Sequence, residues 1–117
     1  MTKEMELGID KLTSKICADY AKFIGNISAG SYEDKKLQIR EWSNKVQFRV
    51  GKKYIKIITG RSVWGFVVLE DSKRRISGDL FSAGDILKAA SYNAPAKNFA
   101  RGNVLKGGMM VQWNGAC

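Results

Sequence analysis

Apolar positions in residues 3–25 recur at spacings of three and four, which is the period of one helix face. They are Met5, Ile9, Leu12, Ile16, Tyr20 and Phe23. Lysines and acids occupy the opposite positions, and Gly25 followed by Asn26 supplies a stop signal. The pattern therefore predicts an amphipathic helix over residues 3–25.

A second helix is predicted over residues 32–44. Ser31 and Asp34 have the spacing of a capping box with a shortened acid. Ile39, Trp42 and Val46 then repeat the spacing of three and four. Residues 1–45 are thus expected to form a helical hairpin with one apolar side, which needs a partner.

From residue 46 the apolar period changes to two, which is typical of β-strands. Val46, Phe48 and Val50 alternate with polar residues, and the runs "YIKIIT" and "SVWGFVVL" follow between turn residues. The last run is apolar on both faces, so both faces should be covered. Trp64 and Phe66 share one of these faces, and we expect both side chains to lie beneath the N-terminal helices.

Shorter segments complete the chain. "DILKAA" reads as a strand, and "NAPAKNFARG" as a short helical turn that starts at Pro95 and stops at Gly102. Gly107 and Gly108 lie between two apolar runs and predict a hairpin. The fold class predicted is α+β. A single domain over residues 1–117 would pack an N-terminal helical hairpin on a small, strongly bent antiparallel β-sheet or open barrel formed by residues 46–117.

Length and composition fit one ordinary globular domain of 117 residues. No stretch is apolar enough to span a bilayer, and the first residues lack the apolar core of a secretory signal. The two cysteines, Cys17 and Cys117, are interpreted as free thiols. We therefore expect a cytoplasmic protein without membrane partners.

Charge is the informative part of the composition, because the net charge of +9 is unevenly placed. Residues 1–44 carry equal numbers of acids and bases. Residues 45–117 carry thirteen bases against four acids, and no acid follows Asp85. Such asymmetry favours an anionic partner, although a basic surface can also serve solubility alone.

The candidate binding residues are basic, amide and aromatic side chains, which contact phosphates, sugars and bases in nucleic-acid complexes. Those of the acid-free segment are Lys88, Lys97, Arg101 and Lys106, with Tyr92, Asn93 and Asn98 between them. A second basic group on the first strands is Arg49, Lys52, Lys53 and Lys56, and a third is Lys73, Arg74 and Arg75. If residues 95–102 were helical, Lys97 and Arg101 would share one face.

Four segments resemble a family of short proteins carried by tailed bacteriophages. They are "KKYIKI", "SVWGFVV", "GDILKAASYNAPAKNFARGNVL" and "VQWNGA", and the resemblance covers roughly residues 52–116. It implies a phage origin and a location in the cytoplasm of the infected bacterial host. No established activity accompanies the family, so the resemblance supplies no catalytic residues.

Enzymatic chemistry is not expected. The chain contains no histidine, the commonest general acid or base. Asp79 and Asp85 could form a carboxylate pair, but acids beside glycine usually bond to turn amides. A dyad of Ser91 with Lys88 or Lys97 would be a chance pairing, and phosphate-cradling glycine motifs do not occur. We expect no cofactor and no metal.

The function predicted is non-catalytic binding of nucleic acid, DNA or RNA, with little sequence specificity. One alternative is inhibition of a host or antiviral-defence protein, whose acidic surface would bind the basic face. Another is a sponge that closes over an anionic nucleotide signal, and a virion component is a further alternative. The sequence leaves the oligomeric state open.

Overall fold

The computed structural model describes residues 2–27, 30–71, 81–97, 99–107, 109 and 111–116. The helices are α1 (Lys3–Asn26) and α2 (Tyr32–Ser43). The strands are β1 (Val46–Val50), β2 (Tyr54–Thr59), β3 (Ser62–Val68), β4 (Ile86–Lys88), β5 (Val111–Gln112) and β6 (Gly115–Ala116). The α+β prediction is confirmed: the N-terminal helices pack on an antiparallel sheet of order β1-β2-β3-β4, which stays open and does not close into a barrel.

Helix α1 forms as its apolar period predicts. The Thr2 hydroxyl accepts a hydrogen bond from the Met5 amide at 3.1 Å and caps the first turn. Five of the six predicted stripe residues are buried; the sixth, Phe23, is 43% exposed, and Ile24 is buried in its place. The stripe therefore ends one residue later than the spacing of three and four suggests.

The main core lies between α1 and one face of the four-stranded sheet. Ile9, Leu12 and Ile16 of α1 pack with Ile55 and Ile57 of β2. Burying a side chain of this size contributes about 1.5–3 kcal/mol. This single layer of contacts fixes the helix on the sheet and leaves the opposite sheet face for other residues.

Helix α2 is peripheral. The Ser31 hydroxyl accepts from the Asp34 amide at 3.1 Å, as the capping pattern predicts, but no residue of α2 is buried. Its contact with α1 is aromatic: the rings of Tyr20 and Trp42 stack with centroids 4.1 Å apart. Gln38 also donates to the Tyr20 hydroxyl at 3.3 Å. A few side chains thus attach α2 to α1.

A β-bulge interrupts the pairing of β2 with β3. Ile57 lies opposite Gly65 and Ile58 opposite Val63, so Trp64 is an extra residue. Trp64 consequently enters the core beneath α1, where its indole N–H donates to the Gln112 carbonyl at 2.7 Å. Phe66 is buried on the opposite face. The prediction that Trp64 and Phe66 share a face is wrong because the bulge shifts the alternation.

Residues 94–104 run antiparallel to β4 and extend the sheet irregularly. Pro95 bridges to Ala89, and Asn103 bridges to Asp85. None of the described residues in the range 94–102 is helical, so the helical turn predicted at Pro95 is wrong. Proline has no N–H to donate and is compatible with an edge strand, which is where this one lies.

The turn near Gly107 also differs from its prediction. Asn103 and Gly107 exchange two backbone hydrogen bonds, so the turn comprises residues 104–106 and precedes Gly107. The Asn103 side chain accepts from the amides of Leu105 and Lys106 at 2.7 and 2.8 Å and stabilises this turn. Gly108 lies outside the described residues. The β5–β6 hairpin instead turns at residues 113–114.

Neither described helix combines the length and apolar character needed to cross a membrane.

Candidate nucleic-acid interface

The basic group of the first strands meets the acid-free segment at Lys56. Its ammonium donates to the Asn93 side-chain oxygen at 3.0 Å and lies 4.4 Å from the centroid of the Tyr92 ring. The first contact joins residues 37 positions apart in the chain. The fold therefore brings the basic group of the first strands beside the loop that follows β4.

The sheet face opposite α1 carries this meeting point. Tyr54 and Lys56 alternate with the core residues Ile55 and Ile57, so they point away from α1. Arg49 is paired directly with Lys56 across β1 and β2 and shares that face. Like charges directly opposite each other repel in a sheet. An anion bound between them would remove that repulsion.

A pocket of about 270 Å³ opens on this face. Its basic lining residues are Arg49, Lys52, Lys53 and Lys56. The half-buried Tyr54 adds aromatic surface and packs edge to face on the buried Phe66, with ring centroids 6.0 Å apart, and Asn93 adds an amide. None of the described residues that line it carries a carboxylate. The pocket thus combines four cations, aromatic rings and a hydrogen-bonding amide.

Arg101 does not face outward. It is only 8% exposed, and its guanidinium lies 3.9 Å from the centroid of the Phe99 ring. One of its Nη atoms donates to the Phe99 carbonyl at 3.0 Å. The prediction that Lys97 and Arg101 lie on one helical face is therefore wrong: Lys97 is exposed, whereas Arg101 packs against Phe99 within its own segment.

The remaining predicted residues do not join the pocket. Lys88 is exposed. It follows Leu87 in β4, so its side chain points to the other side of the sheet, the side that carries α1. Lys106 is exposed in the turn at residues 104–106. Asn98 and the basic run 73–75 lie outside the described residues. The described cations of residues 45–117 are consequently divided between the two faces and the loops, with one concentration at the pocket.

Sequence reasoning missed the two aromatic members of the pocket. Tyr54 precedes Lys56 by two residues in a strand, so simple alternation would have placed it on the same face. Simple alternation places Phe66 on the same face as Trp64, beneath the helices, whereas the register shift at Trp64 turns Phe66 to the opposite face. The local signal was Gly65, because a glycine inside a strand pattern often marks a β-bulge.

Asp85 has a structural role. Its carboxylate accepts from the Ser82 amide at 2.8 Å and from the Asn103 side chain at 2.9 Å. This confirms the turn role predicted for Asp85, whereas Asp79 lies outside the described residues. Within the described part of the chain, no three His, Cys, Asp or Glu side chains come together in a group that could hold a metal ion.

The chain matches no protein-family model, no curated protein and no solved structure.

Proposed function

We propose that the protein is a non-catalytic nucleic-acid-binding protein of a tailed phage, acting in the cytoplasm of the infected bacterium. The observation that supports binding is the carboxylate-free pocket, which is lined by four cations together with the half-buried Tyr54 and the buried Phe66. Cations attract phosphates in a salt-dependent manner, and aromatic rings accept stacked bases at about 1–3 kcal/mol each.

Single strands fit this surface better than duplexes. The exposed Tyr92 ring lies beside Lys56, which lines the pocket, and an unpaired base could stack on this ring. A duplex keeps its bases paired and would contact only the cations. Because neither of the two described helices lies on this face, we expect little sequence preference.

The test is binding of a labelled single-stranded oligonucleotide, measured by fluorescence anisotropy across a range of salt concentrations. The double variant Lys52→Gln, Lys53→Gln removes two cations from the pocket. If each contacts a phosphate, the slope of log K against log salt should fall by about 1.4, since each single-strand contact contributes about 0.7.

The matched control is Lys11→Gln, Lys15→Gln, which removes the same charge from exposed positions of α1. Its slope should stay near that of the natural chain. An equal loss in both double variants would mean that net charge alone causes binding, and the pocket would be excluded as the site.

Capture of a small anionic nucleotide is a second candidate, favoured by the pocket's volume of about 270 Å³, close to the lower end of small-molecule sites. A nucleoside phosphate that raises the melting temperature in the absence of any oligonucleotide would support this candidate. In a pull-down from host lysate, one acidic protein that stays bound after nuclease treatment would support the inhibitor alternative.

A further inference from the structure

Strand β1 is an open edge of the sheet. It lies at the end of the strand order, and no described strand pairs with its outer side. Four of its five residues are exposed, including Phe48 at 39% and Val50 at 51%. Unpaired N–H and C=O groups on such an edge are a template for another strand.

The hydrogen-bond register identifies which residues present those groups. The Gly60 amide donates to the Lys45 carbonyl at 3.3 Å, and the Gly51 amide donates to the Tyr54 carbonyl at 2.8 Å. The pairs Lys45–Gly60 and Gly51–Tyr54 continue the register of β1 with β2 beyond the two ends of β1. In an antiparallel pair, residues that hydrogen-bond to the neighbouring strand alternate with residues that do not. The backbone groups of Val46, Phe48 and Val50 therefore point away from β2, toward the open edge.

This edge is self-complementary. A two-fold axis through Phe48 would place Phe48 opposite its own copy and Val46 opposite the copy's Val50, each pair exchanging backbone hydrogen bonds. Gln47 would lie opposite the copy's Arg49, so no like charges face each other directly. The apolar side chains of both copies would meet on the side of the sheet that carries α1.

We propose that a second copy of this chain pairs with the outer edge of β1 in antiparallel register about Phe48, forming a continuous eight-stranded sheet. The five-residue strand is a short interface, so the dimer should be weak and dependent on concentration. The proposal does not depend on the proposed nucleic-acid binding, because its test contains no nucleic acid.

Cross-linking tests the register. In a chain with both natural cysteines replaced by serine, Phe48→Cys would lie opposite itself in a hydrogen-bonded pair, with Cα atoms about 5.5 Å apart, within disulfide range. Mild oxidation should convert most of this variant to a covalent dimer. Leu105→Cys is the control, because Leu105 is 42% exposed and lies beyond β4, at the opposite edge of the sheet.

Sedimentation velocity tests the association itself. Phe48→Lys should remain monomeric at concentrations where the natural chain is half dimeric, whereas Leu105→Lys should associate as the natural chain does. Circular dichroism establishes that each variant is folded. A natural chain that is monomeric throughout, or equal cross-linking at positions 48 and 105, would overturn the proposal.

Discussion

Two glycines of α1, Gly8 and Gly25, differ in the space around them. A Cβ atom on Gly8 would lie 2.6 Å from the Val104 carbonyl oxygen, so the helix and the turn at residues 104–106 approach closely only because the side chain is hydrogen. A Cβ on Gly25 would meet no atom within 4 Å. The same substitution should therefore have opposite effects at the two positions.

We expect Gly8→Ala to lower the free energy of unfolding by about 1 kcal/mol, because the overpacking cost of about 1–3 kcal/mol exceeds the gain in helix propensity of about 1 kcal/mol. Gly25→Ala should raise it by about 0.5 kcal/mol, since only the propensity changes. Urea denaturation of both variants measures the difference. Equal stabilisation would show that Val104 moves aside without cost.

Individual residues show where sequence reasoning works. The buried stripe of Met5, Ile9 and Leu12 follows directly from helical period, because each position depends only on residues within two turns. Arg101 could not be placed that way. Its burial depends on the path of residues 94–104 along β4, which is a tertiary property.

At the scale of elements, the weak attachment of α2 has a measurable consequence. Because no residue of α2 is buried and Trp42 alone of its large side chains packs on Tyr20, Trp113 and the rim of the core, α2 should open at a lower free energy than the core. We expect its protected amides to exchange with solvent about tenfold or more faster than the central amides of α1, which corresponds to an opening free energy lower by at least about 1.4 kcal/mol.

Hydrogen exchange followed by mass spectrometry provides the measurement. Trp42→Ala should increase exchange in α2 and leave the centre of α1 protected. Identical exchange in the two helices, or a simultaneous loss of protection in both, would mean that α2 unfolds only with the whole domain.

Elements also show what sequence cannot specify. The alternation in residues 46–50 and the β-branched run in residues 54–59 predicted both strands, because a local pattern suffices there. The bulge at Trp64 is set by pairing with β2, and the contact of Lys56 with Asn93 joins distant parts of the chain. The sequence therefore predicts the separate basic groups, but it does not predict that the fold brings them together in one pocket.

For the whole molecule, the net charge of +9 gives the two proposals opposite salt dependence. Nucleic-acid binding should weaken as salt rises, because counterions released into a more concentrated salt solution gain less entropy. Pairing of two copies brings like net charges together, so added salt should strengthen it by screening their repulsion. Sedimentation without nucleic acid measures the pairing of two copies, and anisotropy with an oligonucleotide measures nucleic-acid binding. Both are measured between about 50 and 200 mM salt, so that the two salt dependences can be compared.

If association of the chain alone weakened with salt, attraction between charged side chains would hold the copies together, and pairing of apolar residues about Phe48 would be excluded. Oligonucleotide binding that did not change over the same range would separately exclude phosphate contacts.

The three tryptophans have a practical consequence for such experiments. Trp64 lies beneath α1, while Trp42 and Trp113 pack edge to face with centroids 6.1 Å apart in the aromatic cluster around Tyr20. None of them lines the basic pocket. Intrinsic emission therefore provides an optical readout of helix docking that a ligand on the opposite face would not quench by direct contact.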